Sequence, residues 1–166
     1  KSNVVLYKEI LHNENVIKEL ASKGAKTKES LKDLSKDDFV IIRAHGEPES
    51  TFNYLNENSI QYLDCTCPNV KAIHKLVKEK DLEGYKIIII GKHGQDEKTM
   101  HPEVLATSKW CNNPILIENE EDIKNIDLSY DKYYLVSQTT FNKDKAENHI
   151  RLIHNIMLNN NKTFEY

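Results

Sequence analysis

Asp64-Cys65-Thr66-Cys67-Pro68 is the segment whose residue types and spacing come closest to chemistry. If the strand ahead of it continues, Cys65 and Cys67 point to the same side, two residues apart. Cys67 then sits at or beside a helix start opened by Pro68. There the helix dipole favours the thiolate, the form that ligates a metal or a cluster. A cysteine also packs as a small hydrophobe, which is the reading for Cys65, and Cys111 reads as structural. His12 precedes Asn13 and a helix start. His45 precedes Gly46, which permits tight backbone geometry or close approach of a ligand. His101-Pro102-Glu103 sets an imidazole and a carboxylate together at a helix start, a pairing suited to proton delivery or anion binding. Ser137-Gln138-Thr139-Thr140 reads either as hydroxyl contact with a substrate or as helix capping by Thr140 or Asn142. His74, His93, His149 and His154 lack such placement and read as structural or solvated.

The elements that must position these residues alternate. Val4–Tyr7, Phe39–Ile42, Ile60–Leu63, Lys86–Ile90, Ile115–Ile117 and Tyr133–Val136 read as strands. Glu14–Lys23, Glu49–Asn56, Pro68–Glu79, Pro102–Thr107 and Asn142–Leu158 read as helices. This alternation predicts an α/β fold: two small consecutive units, residues 1–66 and 67–166, with mainly parallel sheets flanked by helices. His12, His45, Cys67, His101 and Thr139 each follow an apolar or strand-like segment, and ligands of open α/β sheets bind beyond the strands' carboxyl ends. Helix N-termini there suit phosphate, so the pattern points to an anionic ligand.

Composition removes other classes. A net charge of −3 gives no basic footprint for nucleic acid. No apolar run approaches the roughly 20 residues of a membrane span. No secretory signal is visible, and the three cysteines read as reduced thiols or ligands rather than bridges, which predicts a cytoplasmic protein. No Walker loop, GxGxxG or nucleophile elbow occurs. A zinc-dependent hydrolase using Cys67 with histidines stays open, although Cys65 and Cys67 lack the usual paired spacing. A noncatalytic anion-binding or interaction module also stays open. The chain starts at Lys1, and no closing element is expected after the polar run Asn159–Lys162, so a piece of a longer protein is expected.

Leu11-His12-Asn13, Ala44-His45-Gly46, Asp64-Cys65-Thr66-Cys67-Pro68, His101-Pro102-Glu103-Val104 and Ser137-Gln138-Thr139-Thr140, in that order, closely resemble the LytB family of 4-hydroxy-3-methylbut-2-enyl diphosphate reductases. The resemblance runs across nearly the whole chain. It implies three similar α/β units around a 4Fe–4S cluster held by three cysteines, of which Cys67 matches the middle one. It implies that His12, His45 and His101 line a diphosphate pocket, that Glu103 serves protonation and that Thr139 contacts substrate. The family converts an allylic diphosphate to isopentenyl and dimethylallyl diphosphates, with ferredoxin or flavodoxin as electron donor. By the same resemblance the first strand and helix of the first unit, and two cluster cysteines, fall outside this chain. The chain alone is therefore expected to be inactive and to lack a cluster. By the same resemblance the stretch Gln95–Met100 is extra relative to the family, and either bulges harmlessly or moves His101 and Glu103 out of place.

Overall fold

The computed structural model describes residues 3–8 and 14–166. The chain divides into two units, residues 1–70 and 71–166. The first contains β1 (Asn3–Tyr7), α1 (Glu14–Ser22), β2 (Lys26–Lys28), a short 3-10 turn (Leu31–Asp33), β3 (Asp38–Ile42), α2 (Glu49–Glu57) and β4 (Gln61–Asp64). Then come α3 (Pro68–Leu82), β5 (Lys86–Ile90), α4 (Pro102–Ser108), β6 (Ile115–Ile117), α5 (Glu120–Lys124), β7 (Lys132–Ser137), α6 (Lys143–Asn159) and β8 (Thr163–Glu165). All strand pairs are parallel, in the orders β2-β1-β3-β4 and β6-β5-β7-β8. The two units thus repeat one topology. In each, the order reverses between the first and third strands, which is where ligands of open α/β sheets bind.

Strand β5 shows why the second sheet is parallel and covered on both faces. Ile87, Ile88, Ile89 and Ile90 are all buried. Ile88 and Ile90 share a cluster with Ile153 and Met157 of α6, while Ile87 and Ile89 share one with Val77 of α3 and Val104 of α4. The period-two alternation therefore feeds two apolar layers. In the first unit Val5, Tyr7, Val40 and Ile42 pack with Leu55 of α2 and with Ile60. Helix α1 buries no residue fully, so Val16, Ile17 and Leu20 cover little.

The expectation of no closing element after Asn159–Lys162 is corrected. Asn161 takes a left-handed φ of 54°, and Lys162 N–H donates to Met157 O at 2.9 Å. That turn ends α6 and lays Thr163–Glu165 beside β7 as an edge strand. One apolar residue, Phe164, leaves no period to read there.

Candidate functional site

The first unit places its chemistry beyond β1 and β3. Residues 43–46 form a turn closed by Gly46 N–H to Arg43 O at 3.1 Å, with Gly46 at φ 79°. A side chain is disfavoured at such a φ, which is why glycine follows His45. His45 is half-buried. Next to it Glu47, fully buried, lies 2.8 Å from both Lys8 Nζ and Arg43 Nε. The Arg43 contact is one of charge, without an aligned N–H. Burial, then the negative charge of Glu47, pushes the Tyr7 hydroxyl up to about 12.

Cys67 is tied to the same turn. Cys65 N–H donates to Ile42 O at 3.1 Å and Cys67 N–H to Ala44 O at 2.9 Å, so the chain continues alongside β3 past the end of β4. Asp64 Oδ1 accepts from Thr66 N–H at 3.0 Å and Thr66 Oγ1 at 2.5 Å, which fixes the turn between the cysteines. Thr66 is buried, Cys65 exposed and Cys67 half-buried, directly ahead of α3. His12 lies outside the described residues.

The second unit brings three of the expected residues together beyond β5 and β7. His101 caps α4: its Nδ1 accepts from Glu103 N–H at 3.2 Å. A neutral ring that accepts at Nδ1 carries its proton on Nε2. Glu103 is 2% exposed, with both carboxylate oxygens engaged. Oε1 accepts from Thr139 N–H at 2.6 Å and Oε2 from Thr139 Oγ1 at 2.8 Å. Thr139 is exposed. A buried acid thus meets the surface through one hydroxyl.

Gln138 is a supporting residue that the sequence reading left without a role of its own. It is buried, accepts from Lys92 N–H at 3.0 Å and donates to Thr140 Oγ1 at 2.8 Å. Gly91 must be glycine here, because a Cβ would come within 2.4 Å of Val104 Cγ2 and 3.1 Å of Gln138. The helix-capping role falls to Asn142, whose side chain accepts from Lys145 N–H at 2.9 Å.

The stretch 95–100 closes on itself. Thr99 Oγ1 accepts from Gln95 N–H and Asp96 N–H at 2.9 and 3.1 Å, and Asp96 Oδ1 accepts from Thr99 N–H at 2.9 Å. His101 N–H donates to Lys92 O at 2.9 Å, so the chain rejoins itself at the base of the loop. Residues 95–99 of the loop are exposed, and Glu103 makes both contacts to Thr139.

The remaining cysteine and histidines separate by environment. Burial pushes the Cys111 thiol up to about 12, which suits a structural cysteine. His149 is 1% exposed on α6, and its Nδ1 finds no hydrogen-bond partner among the described residues. Burial, with Lys145 nearby, lowers its pKa against the opposing pull of Glu120 and Asp122. The ring is therefore neutral in the fold and takes a proton on unfolding below about pH 6.5. Stability from this group is present above that pH and is lost as pH falls through it. The variant H149F is expected to lose less stability than the parent between neutral and mildly acidic pH, measured as urea midpoints. Equal losses in both would show that His149 does not set the acid limit.

Among the described residues no group of three or more His, Cys, Asp or Glu side chains could hold a metal ion. The donor set here offers the thiol of Cys67 and does not by itself fit a cubane cluster, which takes several thiolates. No described helix is long and apolar enough to cross a membrane.

A family model described as LytB protein matches residues 1–165. The 4-hydroxy-3-methylbut-2-enyl diphosphate reductase of Clostridioides difficile (strain 630) is 36% identical over 137 residues, covering 81% of this chain and 47% of that protein. The reductase of the same name from Alkaliphilus oremlandii (strain OhILAs) is 37% identical over 132 residues, covering 79% and 44%. Among solved structures, the E-1-hydroxy-2-methyl-but-2-enyl-4-diphosphate reductase of Plasmodium falciparum superposes with a TM-score of 0.86 at 26% identity, over 99% of this chain and 50% of that one. A second, described as the terminal enzyme of the non-mevalonate pathway, gives 0.80 at 29%, over 100% and 57%. The chain spans about half the length of the curated relatives it matches.

Proposed function

Because the chain belongs to the LytB family, we propose that it supplies diphosphate-binding and proton-delivering residues of a 4-hydroxy-3-methylbut-2-enyl diphosphate reductase. In this reading the enzyme removes the allylic hydroxyl as water with two electrons and two protons, giving isopentenyl and dimethylallyl diphosphates. The observation that carries the reading is Glu103, a buried carboxylate coupled through both oxygens to exposed Thr139. His45 in the first unit and His101 in the second are assigned to the diphosphate, His101 through an Nε2–H donor. His12 takes the same assignment from its place in the family pattern. Protonation of Glu103 at Oε2 reverses its bond to Thr139, so that Oε2–H donates to Thr139 Oγ1; that hydroxyl then gives its own proton to the leaving oxygen as it takes the proton of Glu103. Electrons come from a ferredoxin or flavodoxin. The three free cysteines suit a reducing compartment, which favours the cytoplasm.

Cys67 is assigned as one thiolate of a cluster whose other ligands are not among the described residues. After anaerobic incubation with iron and sulfide, this chain is expected to hold well under one 4Fe–4S cluster per chain. The variant C67S is expected to remove what little iron binds. A stoichiometric, Cys67-dependent cluster would overturn the assignment of an incomplete ligand set. One tight zinc per chain would favour a zinc-dependent hydrolase instead.

A further inference from the structure

His93 follows β5 at the foot of the loop formed by residues 93–100, and both of its ring nitrogens face acceptors. Nδ1 lies 2.7 Å from Gly94 O and Nε2 3.0 Å from Asp122 Oδ2. Asp122 Oδ2 also accepts from Glu118 N–H at 2.8 Å and Asn119 N–H at 2.9 Å, contacts suited to an ionised carboxylate. An imidazole that donates from both nitrogens is an imidazolium. The backbone is gripped at the same place: Glu118 Oε2 accepts from His93 N–H at 3.0 Å and Gly94 N–H at 3.1 Å. The link runs onward through Lys92, whose carbonyl accepts from His101 N–H at 2.9 Å. His101 in turn accepts from Glu103 N–H at 3.2 Å. These hydrogen bonds, with the Lys92–His93 peptide link between them, therefore connect the β6–α5 connection to the backbone of Glu103.

We propose that His93 and Asp122 are a positioning pair: the His93 imidazolium pins the loop of residues 93–100 to the β6–α5 connection, and its deprotonation releases the loop and loosens His101 and Glu103. The importance of those two residues for catalysis rests on the reading given under Proposed function, whereas the pinning itself does not. The charged groups that face His93 are Asp122 of α5 and Glu118 ahead of it. From α6, His149 also senses Asp122, together with Glu120 and Lys145. Burial opposes the charged ring, but the bonds to Asp122 and Gly94 and the charges of Asp122 and Glu118 outweigh it, so the pKa of His93 is raised. The pinned state is therefore complete below the ordinary histidine value and lost as pH rises through the raised one. His149 titrates in the opposite sense, so the two are separable.

The test is a pH series of imidazole and amide NMR on this chain. Two His93 ring N–H signals are expected at mildly acidic pH, with a titration midpoint above about 6.5. Protection of the Gly94 and His101 amides against hydrogen exchange is expected to fall with that titration, by up to about tenfold per pH unit. In D122N the midpoint should drop to the ordinary value or below, and protection at neutral pH should fall with it. A wild-type His93 that carries one ring N–H throughout, or amide protection indifferent to its titration, overturns the proposal without any variant being needed. Neither outcome bears on whether Glu103 serves as the acid, because no turnover is read.

Discussion

E103Q is expected to cut turnover of the allylic diphosphate by about 10²–10⁴-fold, the range for loss of a positioned general acid. The assay needs an enzyme of full length, made by putting this chain in place of the matching segment of the Clostridioides difficile relative. Glutamine keeps the shape of the buried side chain and can still accept from Thr139 N–H, so the fold should survive. What it cannot do is hold and release the proton. Its carboxamide N–H2 faces Thr139 Oγ1, where Glu103 Oε2 now accepts at 2.8 Å. Affinity for the substrate should change far less than turnover, because the diphosphate is assigned to histidines. A variant that turns over at the parent rate would remove Glu103 from the reaction.

E47A is expected to cost about 3–5 kcal/mol, the range for removing one partner of a buried charge pair. Glu47 is fully buried, with Lys8 Nζ and Arg43 Nε each 2.8 Å away, and Arg43 is itself 7% exposed. Alanine leaves two cations side by side in a poorly solvated place and also leaves a cavity. The loss should appear as faster hydrogen exchange across β1 and β3, which end one residue before Lys8 and Arg43. E47Q separates charge from packing: it keeps the volume and removes the negative charge. If E47Q is as stable as the parent, the charges there contribute nothing to the fold.

Apolar runs were the most legible part of this sequence. Lys86–Ile90 and Ile115–Ile117 form strands at the boundaries that their β-branched runs predict. Helices α3 and α6 follow from their apolar period, although α3 runs on to Leu82. What escaped were elements held by pairing or capping rather than by burial. Strand β2 is Lys-Thr-Lys and, among the described residues, pairs only with β1. Helix α5 has one buried residue, Ile123, and stands on a capping box between Asn119 and Asp122. Those two connections carry no hydrophobic signal.

The site divides in the same way. His101-Pro102-Glu103 announced itself as an imidazole and an acid at a helix start, and Thr139 as a hydroxyl beyond a strand. That Glu103 and Thr139 would meet depended on β5 and β7 being neighbours, a fact of topology that no local spacing contains. His93 reads from sequence as structural or solvated because it does not stand at a helix start, and its partners, Glu118 and Asp122, lie 25 and 29 residues away. The Asn-x-x-Asp spacing of the capping box is the one local signal that could have marked Asp122 as an acceptor.

An NMR titration of this chain with 4-hydroxy-3-methylbut-2-enyl diphosphate probes the proposed binding residues themselves. Saturable shifts are expected at His45, His101, Glu103 and Thr139, competed by inorganic diphosphate. Shifts confined to other residues, or none at concentrations where a diphosphate-binding control protein saturates, would contradict that assignment.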